Sequence, residues 1–176
     1  MMDDIDRAYC SIGEFVVAFQ WAENKYREIG WFILDPKREQ WPPLQLRKET
    51  NESLVNKVTD LFFDLVQSHS FSNGTEQAAD FETLRNEFHD LRRFRNRLLH
   101  STYVEIKDED EVLGYIRSNP KLTVDSDTGE LIYDQEQFSA EVVHAKLAEV
   151  ANAMLRLGQH YIQLIHWSPF ERFPKV

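Results

Sequence analysis

Cysteine, positive charge and long apolar runs are all scarce in this sequence, and each shortage excludes a class of protein. The one cysteine, Cys10, has no partner for an internal disulfide, as is usual in a reducing compartment. No apolar run reaches the ~18 residues of a membrane span, and the acidic start MMDDIDRAYC does not resemble a signal peptide. We therefore expect a cytoplasmic protein with no membrane segment.

The shortage of positive charge limits the contacts that the protein makes with nucleic acids. Lysine and arginine number 20 against 30 acidic residues, which gives a formal net charge of −10. Binding to phosphates depends on cations, so this balance excludes broad coating of DNA or RNA, and any contact with RNA has to be local. The acidic stretch DSDTGE lacks the ligand spacing of a calcium loop, and there is no glycine-rich phosphate loop. We predict no metal site and no cofactor.

The hydrophobic pattern predicts one helical domain over residues 1–176. Apolar side chains recur about every 3.6 residues in four segments, and β-branched and aromatic runs precede the last of them. The predicted fold is mainly α, an up-down four-helix bundle with a small β-hairpin insertion before the last helix. The predicted helices span about 5–34, 50–68, 76–100 and 135–167, and the insertion spans about 104–134.

Two charges interrupt the apolar faces of the first and third predicted helices. At 100° per residue, Glu23 falls about 20° from Ile12 in the first helix, and Arg95 falls about 40° from Leu91 in the third. An unpaired charge in a core is costly, so we predict a partly buried Glu23–Arg95 ion pair. The alternative is that both stripes are wide and that the long side chains reach solvent.

The third helix also concentrates positive charge in an acidic protein, since five of the twelve arginines lie between positions 85 and 97. One explanation is a solvated face whose last cations interact with the negative end of the helix dipole. That explanation covers the last turn and leaves the earlier cations unexplained. The polar side chains of this face are Arg85, His89, Arg92, Arg93, Asn96 and His100.

The stretch RNRLLH, residues 95–100, resembles the R-x4-6-H signature of the HEPN (higher eukaryotes and prokaryotes nucleotide-binding) family. In that family a polar residue, commonly Asn, directly follows the arginine, and Asn96 occupies this position. The family is a small helical bundle with the signature near the end of an internal helix, which agrees with the predicted layout. The resemblance is specific over six to ten residues, and the strands between 104 and 134 would be an insertion of this lineage.

The resemblance implies metal-independent RNA cleavage by a symmetric homodimer, in which two copies of the signature form one composite cleft. The ribose 2′-OH attacks the adjacent phosphorus and leaves a cyclic phosphate and a 5′-OH. Enzymes of this kind act as toxins, in phage defence or in RNA processing, and a neutralising antitoxin or regulatory protein would be a further partner. The residues concerned are Arg95, Asn96 and His100 for catalysis, Glu23 in support, and Arg92, Arg93 and Tyr103 for binding RNA.

The side chains suit this chemistry by their own properties. An imidazole exchanges protons near neutral pH, and a guanidinium offers a permanent forked charge to the phosphorane oxygens. On an ideal helix Arg95 and His100 point about 140° apart, so they converge only if the helix ends before His100 or if Arg95 bends around its edge. Family toxins silenced by tyrosine modification carry the tyrosine two residues after the histidine. This chain has Thr102 there, so we do not expect that regulation.

Two alternatives to the nuclease stay open. A non-catalytic HEPN-like dimeric module would keep the fold to bind a nucleotide, RNA or a partner protein, and the low positive charge favours it. An unrelated helical dimer with a chance match to the signature is the other alternative. The presence of Arg95, Asn96 and His100 together favours the nuclease, because a retired site has no chemical reason to keep all three.

Overall fold

The computed structural model describes residues 4–40, 42–109, 111–119, 123–124, 131–132 and 135–167. Within these residues the fold is mainly helical, with four helices and a small three-stranded sheet inserted before the last helix, which confirms the predicted mainly α class, the four helices and the β insertion. The helices are α1 (Asp4–Leu34), α2 (Asn51–Ser68), α3 (Gly74–Leu99) and α4 (Ala140–Trp167), with a short 3-10 helix at Leu44–Leu46. The strands are β1 (Thr102–Asp108), β2 (Glu111–Ser118), β3 (Thr123–Val124), β4 (Leu131–Ile132) and β5 (Gln135–Phe138).

The chain divides into two compact units. The first consists of Met1–Val17 and Arg93–Ala148, and the second of Ala18–Arg92 and Glu149–Val176. The helices α1, α3 and α4 therefore each contribute residues to both units. None of the described helices is both long and apolar enough to cross a membrane.

Local sequence signals explain where the helices begin and end. α1 stops at Leu34, two residues before Pro36, because proline restricts the residue before it and lacks a backbone donor. Thr50 caps α2, since its side chain accepts a hydrogen bond from the backbone N–H of Ser53 at 3.5 Å. α3 begins at Gly74, directly after the turn residue Asn73.

In the second unit, α2 has the same direction as α1. Asn51, at the start of α2, donates a hydrogen bond to Glu23 at 2.8 Å. Seven residues further along both helices, Gly30 lies so close to Val58 that a Cβ on the glycine would be 2.6 Å from the Val58 Cγ2 atom. The connection over residues 35–50 therefore returns along α1 before α2 begins, instead of turning the chain round as in a simple up-down bundle.

α3 runs opposite to its neighbours in the second unit. Phe62 of α2 stacks on Phe81 with 4.3 Å between ring centroids, and Glu52, earlier in α2, pairs with Arg92, later in α3, at 2.8 Å. Residue numbers rise in one helix as they fall in the other, so α2 and α3 are antiparallel.

An aromatic core joins α1 to α3 in the same unit. Phe19 stacks on Phe88 at 4.8 Å between ring centroids, and Tyr26 packs on Phe81 at 5.7 Å. These pairs show that α1 and α3 are antiparallel. Burial raises the pKa of Tyr26, whose hydroxyl has no hydrogen-bond partner among the described residues.

The first unit contains the antiparallel sheet, in the strand order β1-β2-β5. Thr102 pairs with Ser118 at one end of the β1–β2 hairpin, and the register shifts between Ile106 and Lys107, which marks a bulge. Glu109 takes a positive φ of 53° in the tight connection between the two strands. A separate two-stranded element, β3 with β4, lies between β2 and β5 in the sequence.

The start of the last helix differs from the prediction. Residues 135–138 were expected to begin that helix, whereas they form β5, and α4 starts at Ala140. Tyr115 pairs with Phe138 in the sheet, and both side chains are buried. Ladder hydrogen bonds and the burial of Phe138 outweigh the helical preference of the Gln and Glu side chains in this strand. The inserted sheet also begins at Thr102, two residues before the predicted start.

Gly30 and Gly13 form a matched pair for testing the close contact of α1 with α2. We expect Gly30→Ala to lower the free energy of unfolding by about 1–3 kcal/mol, because the added methyl overfills a packed core. A Cβ at Gly13 meets nothing within 4 Å, so Gly13→Ala should leave stability unchanged or raise it by up to about 1 kcal/mol. Urea denaturation of both variants checks this, and equal effects would contradict the described contact.

Candidate active site

The RNRLLH stretch lies at the C-terminal end of α3, within the first unit. α3 ends at Leu99, and His100 follows it in a turn, with its backbone N–H bonded to the carbonyl oxygen of Asn96 at 3.0 Å. The imidazole of His100 is exposed and has no hydrogen-bond partner among the described residues. The bond from His100 to Asn96 has the i to i−4 spacing of an α-helix, so the backbone N–H of His100 closes the last turn of α3, five residues after Arg95.

Arg95 and Asn96 are joined directly by their side chains. The guanidinium donates two hydrogen bonds to the Asn96 amide oxygen, at 3.2 Å from Nε and 2.8 Å from Nη2. Both side chains are half-buried. An amide that accepts two bonds from one guanidinium fixes its orientation, so Asn96 orients Arg95 rather than the imidazole.

Two side chains that follow α3, Ser101 in the turn and Tyr103 on β1, bind carbonyl groups at the end of the helix. The Tyr103 hydroxyl donates to the carbonyl oxygen of Leu98 at 2.8 Å, and Ser101 Oγ donates to that of Arg97 at 2.5 Å. The last four carbonyl groups of a helix have no partner within it, so these bonds stabilise an end at Leu99.

Arg117 on β2 supports this end of the helix from within the unit. Its guanidinium is fully buried and donates to Ser101 Oγ at 2.9 Å and to Glu136 on β5 at 2.8 Å. A buried cation beside a helix C-terminus is favourably placed in the field of the helix dipole. Arg117 was missed at the sequence level, because nothing in the strand pattern distinguishes a buried arginine from an exposed one.

Tyr103 makes contacts that stabilise the fold of the first unit. Besides its bond to Leu98, its ring packs edge-on against Phe138 at 5.2 Å between centroids. Burial raises the pKa of Tyr103. Tyr103 is half-buried, and its predicted contact with RNA stays a prediction.

Glu23 is buried and ion-paired as expected, but with a different partner. Its two carboxylate oxygens accept from Arg27 and from Asn51, each at 2.8 Å, and the residue is only 7% exposed. Glu23 therefore pairs with Arg27 and not with Arg95 as predicted. Arg27 lies one turn further along α1, where side chains four residues apart are direct neighbours on the helix surface. Glu23 supports the contact between α1 and α2.

The arginines Arg85, Arg92 and Arg93 of α3 differ in their surroundings. Arg92 is half-buried in the second unit and pairs with Glu52 at 2.8 Å, and Arg85 pairs with Glu82 one turn away in α3. Arg93 is exposed and belongs to the first unit with the RNRLLH stretch. Of the two arginines predicted to bind RNA, Arg92 and Arg93, only Arg93 is exposed, and the contact of either with RNA stays a prediction.

A partly buried polar network in the second unit was not anticipated from the sequence. Arg156 of α4 donates to Asp80 at 2.5 Å and to Glu87 at 2.6 Å, and His160 Nε2 lies 2.7 Å from Asp80. His160 is buried between the edges of aromatic rings, and its Nδ1 has no partner among the described residues. The sequence signal for this network was the i, i+4 spacing of Arg156 and His160, which places both side chains on the same face of α4.

The network perturbs the titration of its members. Burial lowers the pKa of His160, and the Asp80 carboxylate only partly offsets this effect. Burial alone would raise the pKa of Asp80, but the hydrogen bonds from Arg156 and His160 outweigh it and hold that pKa below its usual range. The buried imidazole therefore favours its neutral form, donating from Nε2 to a carboxylate that stays ionised.

Among the described residues, no group of three or more His, Cys, Asp and Glu side chains is arranged to hold a metal ion.

Replacing Arg117 should destabilise the first unit. We expect Arg117→Met to lower the free energy of unfolding by about 2–4 kcal/mol, because it leaves Ser101 and Glu136 without their buried partner. Lys107→Met is the matched control on the neighbouring strand, where the exposed pair with Glu105 contributes at most about 1 kcal/mol. Thermal denaturation of both variants measures the difference, and a wild-type melting temperature for Arg117→Met would contradict the buried cap.

Stability should fall on acidification in a way that depends on His160. Its folded pKa lies below the unfolded value of about 6.5, so the unfolded chain takes up the proton first. The contribution is complete above about pH 6.5 and is lost as the pH falls toward the folded pKa, and that of Asp80 is lost only below about pH 4. Urea denaturation between pH 8 and pH 5 should show this fall in the wild type and a flatter profile for His160→Gln. The exposed His144, replaced by Gln, is the control, and an unchanged profile for His160→Gln would contradict the assignment.

Comparison of the chain with protein-family models, with curated proteins and with solved structures finds no match. The likeness to HEPN proteins therefore rests on residues 95–100 and on the helical layout around them.

Proposed function

We propose that the protein is a metal-independent endoribonuclease of HEPN type, with Arg95, Asn96 and His100 as its reacting and orienting groups. The observation that carries the proposal is the end of α3 at Leu99. It places an exposed imidazole in a turn directly after a helix whose last turns carry a guanidinium held by an amide. Two copies of the chain would contribute their signatures to one cleft. A role in toxicity, phage defence or RNA processing follows from the same proposal.

The three side chains divide the reaction between them. The 2′-oxygen forms a bond to phosphorus while the bond from phosphorus to the 5′-oxygen breaks, which leaves a 2′,3′-cyclic phosphate and a 5′-OH. His100 moves the proton, taking it from the 2′-OH or delivering it to the leaving oxygen. Arg95 stabilises the negative charge on the phosphorane oxygens, and Asn96 keeps the guanidinium oriented through its two hydrogen bonds.

Charge favours a second candidate, a non-catalytic module that binds RNA, a nucleotide or a protein. Arg85 and Arg92 are already paired with carboxylates, and the whole chain carries −10. Attraction of RNA over long distances would therefore be weak. Arg97 within the RNRLLH stretch and Arg93 two residues before it are exposed, so contact with phosphates would be confined to that end of α3.

RNA cleavage in the presence of EDTA separates the two candidates. We expect the wild type to generate cyclic-phosphate ends, with rates lower by about 10²–10⁴-fold for His100→Ala and about 10²–10³-fold for Arg95→Ala. Asn96→Ala should lose less than Arg95→Ala, because it removes only the orienting bonds.

His144→Ala, which removes an exposed histidine of α4, is the control and should cleave at the wild-type rate. Binding of RNA without cleavage would support the module. Equal cleavage by the wild type and His100→Ala would indicate a contaminating nuclease and overturn the assignment of His100.

A further inference from the structure

Two arginines share an exposed face of α3 with His100 in the first unit. The backbone N–H of His100 is bonded to the carbonyl oxygen of Asn96 at 3.0 Å, so helical spacing holds up to His100. At 100° per residue, Arg93 lies about 20° from His100, and Arg97 lies about 60° from it. Arg95 lies about 140° from His100 and belongs to a different face of the helix. We call Arg93, Arg97 and His100 the cationic strip.

The guanidinium of Arg97 is held in place without being neutralised. It lies over the ring of the buried Phe94, with 5.8 Å from its Cζ atom to the ring centroid. Such a contact orients the side chain and does not use up its N–H donors. Among the described residues no carboxylate forms an ion pair with Arg97, and residues 91–104 contain no aspartate or glutamate.

The dipole of α3 accounts for only a small part of this charge. The C-terminal end of a helix is equivalent to about half a negative charge, and its effect falls off within the last turn. Arg93 lies more than one turn before Leu99, where α3 ends, and Arg97 alone carries a full positive charge. The cationic strip therefore has a surplus of positive charge at the surface of a chain with a net charge of −10.

The spacing along the strip matches the phosphates of one RNA strand. Arg93 and Arg97 are separated by about 6 Å along the helix axis, and Arg97 and His100 by about 4.5 Å. These distances are of the same order as the separation of neighbouring phosphates in an extended strand. One strand that runs along α3 can therefore contact both arginines and still pass the imidazole.

We propose that the cationic strip binds single-stranded RNA, and that Arg97 binds the phosphate next to the linkage at His100. Arg93 binds the phosphate that follows on the same strand. This role of the strip rests on the proposed function, because the strip leads to the linkage that His100 would cleave. Arg97 is thus a substrate-binding residue of that site, on the same copy of the chain as the imidazole.

The choice of a single strand follows from the balance of charge. Two arginines offset the repulsion of only a few phosphates by a chain of net charge −10. A duplex would bring a second row of phosphates to the same surface, with no further exposed cations of the strip to meet it. The strip therefore favours a short unpaired segment of RNA.

Binding of a short single-stranded 2′-O-methyl RNA tests the strip without depending on cleavage, because the methyl group blocks the attacking oxygen. The wild type should bind this RNA less tightly as salt is raised. We expect Arg97→Gln to weaken binding about tenfold at low salt. The slope of log affinity against log salt should fall by about 0.7, the value for one phosphate contact on a single strand. Arg97→Lys keeps the charge and should keep the slope.

Arg85→Gln is the matched control for the lost charge. It removes a positive charge from the same helix, at an arginine that already pairs with Glu82 and lies in the second unit. It should change the affinity by less than about twofold and leave the salt slope unchanged. Because Arg97 is exposed, Arg97→Gln should fold normally, which circular dichroism checks.

The cleavage assay gives a second measure of the same contact. Arg97→Gln should raise KM about tenfold and leave kcat within about twofold. The phosphate that Arg97 binds keeps its charge through the reaction, so the contact is equally strong in the ground state and in the transition state. His100→Ala, in contrast, should lower kcat.

Three binding results would overturn the strip. They are a wild type that does not bind the single strand, an Arg97→Gln variant that binds no more weakly than Arg85→Gln, and a matching duplex that binds as tightly as the single strand. Weakened binding by Arg97→Gln in a protein that cleaves no RNA supports the strip and contradicts only the ribonuclease. Cleavage of RNA with an unchanged KM in Arg97→Gln contradicts only the strip.

Discussion

The capping of α3 by the inserted sheet is the interaction on which the candidate site depends. A helix ends with carbonyl groups that have no partner, and a sequence can extend it for another turn unless something else binds them. Here Ser101 and Tyr103 supply the hydrogen bonds, and the buried Arg117 holds Ser101. The helix therefore ends at Leu99, and the exposed His100 follows directly, with its backbone N–H still bonded to the carbonyl oxygen of Asn96. The sheet thus has a function in shaping the end of α3, besides filling the sequence between two helices.

The sequence predicted those features that depend on local pattern. The four apolar stripes and the turn residues between them gave the helices, and the β-branched runs gave the strands. The ends of these segments were less predictable where local preference and tertiary contacts disagree. The strand β5 is an example, because Gln135 and Glu136 favour a helix while the pairing of Phe138 with Tyr115 selects a strand.

A helical wheel cannot predict which charged side chains far apart in the sequence form ion pairs. The wheel placed Glu23 and Arg95 correctly on mostly apolar faces, but it could not rank Arg27 above Arg95 as a partner. In the same way, the pattern of alternating residues could not reveal that Arg117 is buried, or that Asp80 lies beside both Arg156 and His160. Such pairs depend on how elements far apart in sequence approach each other. The local patterns of this sequence do not indicate which of these elements come close together.

The connection between α1 and α2 has a consequence for how the chain tolerates changes in length. Two successive helices with the same direction need a linker that spans the distance back, and residues 35–50 provide it. This linker is anchored on its way, since Arg27 donates to the carbonyl oxygens of Leu46 and Glu49. The length of this linker determines the direction of α2. A shorter linker would allow only an α2 antiparallel to α1, in which Asn51 could no longer donate a hydrogen bond to Glu23. Deletions in this linker would therefore destabilise the fold as core mutations do. Insertions near its exposed residues 37–40 would be tolerated, because a longer loop adds little entropic cost.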